Sequence, residues 1–272
     1  MSRRVDSLLK PPLPTAQLYA GTSGWAYPTW KPDFYPPKTP ATKFLGFYAS
    51  RLNSVEVNYT FRTLPTAKQL EGWLDATPET FRFSFKAPQR ITHFARLRDC
   101  EALIAQFVAT LEPVRHTGKL GLLLFQLPPN FKADDETRPR LAAFLTIPAL
   151  AEHRIAFEFR HPTWFTEETY SLLRQQNAAL CVAESDDLAT PEVHTASTHT
   201  CFRLRRNGGY TQPELAAMTQ RLKTLARDRD VFAYLKHEDE PTGALNAVAL
   251  LHAADEPAAD EPAASKSAAG KP

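Results

Sequence analysis

Charged and polar side chains recur at alternate positions in several short apolar segments of the sequence. Glu56 and Asn58 alternate with valines, Lys86 follows two phenylalanines in alternation, and Glu158 and Arg160 alternate with two more. Because side chains of a β-strand point alternately to its two faces, each segment has an apolar face and a charged face. Buried charges are tolerated when they are paired or when they face water and ligand. The charged faces therefore predict a functional site.

The same alternation extends to four other segments of the chain. It adds the candidates Gln126, Glu184, Asp186, Arg203, Arg205 and Lys236. The charged faces then carry five cations and four carboxylates, whose charges nearly cancel. Two interpretations follow, a ligand site and a network of ion pairs that satisfies itself.

The residue types suit acid–base chemistry on an anionic substrate. Glu56 and Glu158 can act as general acid and base, while Lys86 and Arg160 stabilise developing negative charge. The carboxylates, together with His161, are also ligands that a divalent metal accepts. Since the cations on the same faces repel a metal and compete for the carboxylates, we expect no metal ion.

The run RRNGG, from Arg205 to Gly209, has the composition of an anion site. Arginine binds phosphate through two parallel hydrogen bonds, and glycine lets the backbone approach a ligand closely. Arg203 shares a face with Arg205, so both are expected to hold a phosphate-sized anion or to pair with a glutamate. Arg206 is expected to point to solvent.

Eight short segments rich in β-forming residues alternate with seven helical patterns, which favours a parallel sheet covered by helices. The predicted strands are 18–21, 54–58, 82–86, 120–127, 155–160, 179–184, 200–205 and 231–237. The predicted helices are 43–52, 66–75, 100–111, 135–145, 167–176, 213–227 and 244–251, with a long loop at 185–199. The pattern predicts an α/β fold, a single-domain TIM-type (β/α)8 barrel with its site at the carboxyl ends of the strands.

An aromatic and proline-rich run at 25–35 follows the first predicted strand, so it belongs to the site end of the barrel. Trp25 and Tyr27 stand at its start. Their rings can stack on a sugar or a base. The alternative is a proline-stiffened plug that only packs on the barrel mouth.

The composition is that of an ordinary globular protein, since the 272 residues are 43% hydrophobic and 23% charged with a formal net charge of +2. No apolar run reaches the roughly 18 residues of a membrane span, and no secretory signal is found. Three cysteines are too few for a disulfide framework, so a cytoplasmic protein is expected. No G-x-G-x-x-G or Walker motif occurs, so no cofactor is expected.

The two ends of the chain differ in composition from the middle. Residues 1–17 are expected to form a flexible arm, and residues 253–272 a disordered tail rich in alanine, proline and acidic residues. The barrel domain is then expected to occupy 18–252.

Five segments resemble the YecE-like family, domain of unknown function 72. They are GTSGW at 21–25, VEVNYTF at 55–61, FSFKAP at 83–88, LFQLPP at 124–129 and EFRHPTW at 158–164. The resemblance runs from residue 18 to residue 251 and implies a TIM-type barrel, without implying an activity. The family-like positions are Glu56, Asn58, Lys86, Gln126, Glu158, Arg160, His161, Trp164 and Arg203. We expect Asn58, Gln126, His161 and Trp164 to contact a substrate.

Two places depart from the family pattern. Arg205 and Arg206 begin a run that replaces a histidine and a glycine, and Lys236 and His237 stand where the family usually has asparagines. Both departures add positive charge. Any activity that depends on the usual groups is in doubt here.

Three hypotheses of function remain open. The first is a metal-independent hydrolase or lyase for a small anionic, phosphorylated or sugar-like substrate. The second is a nucleic-acid or nucleotide-binding module that uses the cationic barrel mouth, although a net charge near zero disfavours strong duplex binding. The third is a divalent-metal barrel of the endonuclease or sugar-isomerase kind, by analogy of fold alone. A phosphate-like ligand and no membrane are expected, and the oligomeric state stays open.

Overall fold

Eight parallel strands form one sheet that curves into a barrel, in the order β1-β8-β7-β6-β5-β4-β3-β2. The computed structural model describes residues 16–184, 188–206, 208–236 and 240–255. The strands are β1 (Leu18–Thr22), β2 (Ser54–Val57), β3 (Arg82–Lys86), β4 (Leu120–Gln126), β5 (Ile155–Glu158), β6 (Ala179–Glu184), β7 (His199–Leu204) and β8 (Asp230–Leu235). The helices are α1 (Phe44–Ala49), α2 (Ala67–Asp75), α3 (Glu101–His116), α4 (Thr137–Leu145), α5 (Glu167–Gln175), α6 (Gln212–Leu225) and α7 (Thr242–Asp255). The predicted TIM-type barrel is confirmed.

In the described part of the chain, β1 and β2 meet at a seam with one backbone bridge, between Ser23 and Glu56. Side-chain hydrogen bonds replace most of the backbone hydrogen bonds that would otherwise join β1 to β2. The Asn53 side chain accepts a hydrogen bond from the amide of Ala20 at 2.8 Å and donates one to the carbonyl of Leu18 at 2.9 Å. The barrel therefore closes partly through one asparagine, which pairs like a backbone strand.

Tyr48 and Gly21 bring the two strands together at the same seam. The Tyr48 hydroxyl accepts a hydrogen bond from the amide of Thr22 at 2.8 Å and donates one to the carbonyl of Ser54 at 3.0 Å. A Cβ atom on Gly21 would lie 1.8 Å from that same Ser54 oxygen. Only glycine leaves room for this approach.

The apolar face of each strand meets the helices, as the alternation predicts. Val55, Val57, Phe83, Phe85, Phe157, Phe159, Phe202 and Leu204 are all buried in the core between sheet and helices. A smaller apolar cluster fills the interior of the barrel and includes Leu122, Leu124, Phe232 and Tyr234. Nearer the carboxyl ends of the strands, the interior changes to Glu56, Glu158 and Arg203. The fold thus places charge where a barrel usually carries its site.

Helix ends follow local capping signals. Thr66 caps α2 by accepting a hydrogen bond from the amide of Gln69, and the glutamine side chain reciprocates. Thr166 caps α5 by accepting a hydrogen bond from the amide of Thr169. Residues 188–198 contain no helix, as predicted for the loop between β6 and β7.

The ends of the barrel differ slightly from the predicted boundaries. Helix α7 continues to Asp255, so residues 253–255 are helical and do not belong to the predicted disordered tail. Gln17 is hydrogen-bonded to β8, one residue before the predicted start of the barrel domain. The rest of the predicted arm, residues 1–15, and of the predicted tail, residues 256–272, lie outside the described residues. No helix in the described ranges is both long and apolar enough to cross a membrane.

Candidate functional site

Three buried charged side chains meet inside the barrel, near the carboxyl ends of β2, β5 and β7. Arg203 donates from Nε to Oε2 of Glu56 at 2.8 Å and from Nη2 to Oε1 of the same carboxylate at 2.7 Å. Its Nη1 donates to Oε2 of Glu158 at 2.5 Å. None of the three side chains is more than 1% exposed. The interpretation as an ion network therefore applies to this triad, which we call the central ion triad.

The central ion triad keeps both of its glutamates ionised. Burial by itself raises the pKa of Glu158, but the charges of Arg203 and Arg160 outweigh it and lower the pKa to about 2. The pKa of Glu56 is lowered in the same way, because Arg203 outweighs its burial. A carboxyl group with so low a pKa holds no proton to donate at neutral pH, and it is a weak base.

Two further side chains complete the hydrogen bonding of the glutamates. Arg160 donates from Nε to Oε1 of Glu158 at 2.8 Å, and its own side chain is 37% exposed. Ser23 donates from Oγ to Oε1 of Glu56 at 2.8 Å. Sequence reasoning included Ser23 in a motif but gave it no role. Its position directly after the first predicted strand was the available signal, and the structure places it opposite Glu56.

Lys86 ends β3 on the same interior face. Its backbone carbonyl accepts a hydrogen bond from the Thr60 hydroxyl at 2.7 Å, and its Nζ lies 4.2 Å from the centre of the Phe61 ring. Burial lowers the pKa of this lysine to about 8, and the Arg203 charge adds to that effect while Glu56 opposes it. Lys86 is therefore the group of this site that titrates near neutral pH.

Arg205 follows β7 and is held there by its amide, which donates to the carbonyl of Glu184 at 3.0 Å. Burial and the Arg203 charge lower its pKa, while Glu56 and Glu158 act in the other direction. No ion pair within the described ranges includes the side chain of Arg205. Its guanidinium thus lies in the field of the central ion triad, and no carboxylate of the described residues forms an ion pair with it.

The loop after β1 contributes Tyr27 to the same surroundings. The Tyr27 hydroxyl donates to the carbonyl of Ser23 at 3.0 Å, and burial raises its pKa to about 12, with Glu56 adding to the rise. Trp25 instead packs edge-on against Trp73 of α2, with ring centres 5.2 Å apart. Of the two residues predicted to stack on a ligand, Tyr27 therefore lies near the central ion triad, whereas Trp25 packs against helix α2.

Asn58 follows β2 and carries an unsatisfied atom. Its Oδ1 is buried and has no hydrogen-bond partner within the part of the chain that the structure describes. Buried polar atoms are almost always hydrogen-bonded, so this oxygen is a candidate contact for a ligand or an ordered water.

The structure contradicts the predicted substrate contact of Trp164. This side chain is fully buried, donates from Nε1 to the carbonyl of Phe131 at 2.7 Å and stacks on Phe159. A ring enclosed by protein on all sides cannot meet a substrate. His161 accepts at Nδ1 from the amide of Thr163 at 3.3 Å, which caps the short helical turn before α5.

The structure places Glu184 on the wrong face for the predicted site. Strand β6 turns Cys181 into the barrel, whereas Val182 packs toward the helices and Glu184 shares its face. The Glu184 carboxylate pairs with Arg206 at 2.6 Å and accepts from the Tyr210 hydroxyl at 2.7 Å. It lines a cavity of about 470 Å³ outside the barrel. Alternation along β6 puts Glu184 on the same face as Val182, and it is the packing of Val182 in the core between sheet and helices that fixes this face as the outer one.

The remaining candidates are distributed around the barrel mouth. Gln126 is buried at the end of β4, in register with Glu158 on β5. Lys236 lies beside Gly209 and Asn246 at a small cavity near the start of α7. Asp186 lies outside the described residues, as do Asn207 and His237.

The predicted phosphate pocket is not assembled as expected. Arg203 is committed to the two glutamates, and Gly209 faces Thr242 and Asn246 of α7. Arg206 is 39% exposed but paired with glutamates, so the prediction that it points to solvent is wrong in part.

Two exposed aromatic rings and one histidine at the site end were missed or set aside. Tyr59, after β2, is 46% exposed, and Phe94, after β3, is 71% exposed. His93 packs edge-on against Phe61, and burial together with the charges of Lys86 and Arg160 lowers its pKa. Its position in a loop gave no sign of this proximity.

The described residues of this site offer few uncommitted side chains that could coordinate a metal. Across the described residues, no group of three or more histidine, cysteine, aspartate or glutamate side chains is arranged to hold a metal ion. Both oxygens of Glu56 already accept from Arg203, and one also accepts from Ser23. All three cysteines are buried and free, as expected for small core residues.

Fold and site together define a TIM-type barrel protein whose described residues form an ion-paired centre, with more cations than carboxylates, at the carboxyl ends of its strands. The chain belongs to the family described as protein of unknown function DUF72, which matches residues 19–269. The UPF0759 protein YunF of Bacillus subtilis is 28% identical over 245 residues, covering 82% of this chain and 83% of YunF. The UPF0759 protein YecE of Escherichia coli is 31% identical over 189 residues, covering 67% of this chain and 63% of YecE.

Solved structures agree on the barrel. A DUF72 family protein of Thermotoga maritima superposes with a TM-score of 0.76 and 26% identity, covering 88% of this chain and 99% of that protein. An AP endonuclease of family 2 from Brucella melitensis and a sugar phosphate isomerase/epimerase from Parabacteroides distasonis each reach 0.50 at 10% identity. They cover 87% and 86% of this chain and 98% and 96% of their own, and they share the fold alone.

Proposed function

We propose that the barrel mouth binds a small anion and that the protein is a metal-independent hydrolase or lyase for an anionic, phosphorylated or sugar-like substrate. One observation carries the proposal, the excess of positive charge around the central ion triad. Lys86, Arg160 and Arg205 surround a triad of one cation and two carboxylates. With Lys86 protonated, the group carries a net charge of about +2, and an anion is the ligand that neutralises it.

The roles of the residues differ from the sequence-based expectation. Glu56 and Glu158 hold Arg203 and stay ionised, so the proposal does not use them as general acid and base. Arg160 and Arg205 hold the anion, because the Arg160 side chain is 37% exposed and Arg205 forms no ion pair with any described residue. Lys86, whose pKa is about 8, supplies the group that exchanges a proton or attacks a substrate near neutral pH.

A second candidate function is recognition of a nucleotide or a short nucleic acid. It is favoured by the exposed rings of Tyr59 and Phe94, which lie on the same end of the barrel as the cations. An exposed aromatic ring beside a cationic groove is the arrangement on which bases stack.

Calorimetric titration with phosphate, sugar phosphates and short single-stranded oligonucleotides tests both candidates. Arg205→Ala is expected to weaken phosphate binding about tenfold or more, since a charge-assisted contact contributes about 1.5–3 kcal/mol. Arg227→Ala, the same change in an exposed arginine at the opposite end of the barrel, is the matched control and should leave the affinity unchanged.

Three outcomes decide between the candidates. Binding of phosphate and sugar phosphates that depends on Arg205 supports the enzyme. Binding confined to oligonucleotides, and lost in Phe94→Ala, supports the second function instead. If no anion binds, or if Arg205→Ala unfolds the protein, the cations serve the ion network alone and the proposal is wrong.

A further inference from the structure

We propose that Lys86 is a reactive amine that forms an imine with the carbonyl group of an anionic substrate. This inference rests on the proposed function, because the cations around Lys86 are what would draw such a substrate in. It names the substrate class more closely, as a small aldehyde or ketone that also carries a carboxylate or phosphate.

The position of Lys86 is well defined. Strand β3 points its side chain into the barrel, the Thr60 hydroxyl anchors its backbone carbonyl at 2.7 Å, and Phe61 places an aromatic face 4.2 Å from Nζ. No hydrogen bond or ion pair within the described ranges occupies Nζ. A nucleophile must be held in one place without being fully enclosed, and the Lys86 side chain packs against Phe61 while the residue is only partly buried.

The charged groups that face Lys86 come from four directions. Glu56 on β2 and Glu158 on β5 are both engaged by Arg203 of β7, and Arg160 extends from the end of β5. His93, from the turn after β3, is close enough for Lys86 to affect its pKa. Because the two carboxylates are already paired, they do not hold the Lys86 ammonium in a direct ion pair.

This environment favours the neutral amine. Burial and the neighbouring cations lower the pKa of Lys86 to about 8. At pH 7 about one in ten such amines is neutral, against roughly one in 2,500 for an ordinary lysine. The lone pair needed for attack is therefore present in a useful fraction of molecules.

The covalent step is balanced without an external oxidant or reductant. The neutral Nζ attacks the carbonyl carbon, the carbonyl π bond opens, and one proton moves from the nitrogen to the oxygen to give a carbinolamine. The hydroxyl group and the second proton of the nitrogen then leave as water, which forms the C=N bond, and protonation of the nitrogen gives an iminium ion. When a C–C bond at the adjacent carbon breaks, its electron pair moves into an enamine while the iminium becomes a neutral amine, and the other fragment is released; this is the reaction of a lyase, which agrees with the proposed class.

Trapping with glyoxylate, an anionic aldehyde, tests the proposal on the full chain. Glyoxylate and sodium cyanoborohydride are added at pH 7, and hydride transfer to the C=N bond fixes the adduct for peptide mapping. We expect Lys86 to be labelled at least tenfold faster than Lys132, an exposed lysine after β4, because the neutral fraction of Lys86 at pH 7 is roughly two hundred times that of an ordinary lysine. Glycolaldehyde, a neutral aldehyde, should label Lys86 more slowly, and phosphate should compete with glyoxylate.

Lys86→Arg and a pH profile separate this inference from the proposed function. Lys86→Arg removes the primary amine and should lose the label, whereas Lys132→Arg should leave the labelling of Lys86 unchanged. Phosphate binding is measured on the unaltered protein. The labelling rate of the unaltered protein should rise with pH to a midpoint near 8. If the protein binds phosphate but Lys86 is labelled no faster than Lys132, or if the rate rises only above pH 10, the imine is refuted while the anion site stands. If neither phosphate binding nor labelling occurs, both proposals are wrong.

Discussion

Arg203 and Glu56 form a two-point ion pair across the interior of the barrel, with parallel contacts of 2.8 and 2.7 Å, although strands β8 and β1 lie between theirs in the sheet. The third donor of Arg203 reaches Glu158 on β5. One side chain thus connects three separated strands. The arrangement explains how two carboxylates stay ionised in a buried position.

Removal of the central cation should strongly destabilise the fold. Arg203→Met leaves two buried carboxylates without their main partner, and breaking a buried pair in this way costs about 3–5 kcal/mol. Urea unfolding should show that loss. Arg206→Met is the matched control, because Arg206 also pairs with two glutamates but is 39% exposed. Its effect should be much smaller, and equal effects of the two changes would contradict the structural role given to the central ion triad.

Glu184 should have no part in anion binding. Since its carboxylate lies on the helix-facing side of β6, bonded to Arg206 and Tyr210, Glu184→Gln should leave the phosphate affinity unchanged. Calorimetry on this variant beside Arg205→Ala makes the comparison. If Glu184→Gln lost as much phosphate affinity as Arg205→Ala, Glu184 would be part of the anion site and the prediction would be wrong.

Acid should destabilise the protein first through His199. Its Nε2 lies 2.9 Å from the carbonyl oxygen of Ile155, and burial lowers its pKa to about 4. The unfolded chain takes up a proton below pH 6.5 while the folded protein does not, so stability is complete above 6.5 and falls as the pH drops toward 4. The loss attributable to His199 is about 3 kcal/mol at most.

Unfolding free energies measured from pH 7 to 4 test this assignment. His199→Gln should flatten the slope in that interval, and His116→Gln, a change in an exposed histidine, should not. Glu158 acts in a different window. Because its pKa is lowered to about 2, its contribution is present above about pH 4.5 and is lost only as the pH falls from there toward 2. An unchanged slope in His199→Gln would show that another group titrates.

The purified protein should carry no stoichiometric divalent metal. The two candidate carboxylates already accept hydrogen bonds from Arg203, and a metal would have to displace that cation while repelled by Lys86 and Arg160. Elemental analysis of protein prepared without chelators measures this directly. One metal per chain that disappears in Glu158→Gln would favour the divalent-metal hypothesis.

The seam between β1 and β2 should not tolerate a side chain at Gly21. A Cβ there would lie 1.8 Å from the Ser54 carbonyl oxygen, so the strands must separate in Gly21→Ala, at a cost of about 3 kcal/mol or more. Gly72→Ala in α2 is the control, since nothing lies within 4 Å of the added atom. It should be neutral or slightly stabilising. Thermal unfolding of both variants measures the difference. Equal unfolding temperatures for Gly21→Ala and Gly72→Ala would show that the seam tolerates a side chain and would contradict the prediction.

The barrel and the two faces of most strands were predictable because their signals are local. Alternation along Val55 to Val57 or Phe83 to Phe85 depends only on neighbouring residues and on the geometry of an extended chain. Helix starts such as Thr66 are likewise read within one turn. Sequence alone therefore placed Glu56, Lys86, Glu158 and Arg203 on interior faces. It misplaced Glu184 because both faces of β6 carry apolar or small residues, so the local pattern does not state which face meets the helices.

Which carboxylates pair with Arg203 was decided only when the barrel closed. Arg203 lies 147 positions after Glu56 and 45 after Glu158, and no local pattern states which carboxylates it will meet. The same holds for the enclosure of Trp164 under Phe131 and for the low pKa of Lys86, which needs burial and cations from other strands. The sequence by itself determined where the strands lie along the chain and which charged side chains most of them point inward, because both follow from local periodicity. Only the tertiary structure decided which charges neutralise each other and which stay available, because that depends on distances between residues far apart in the chain.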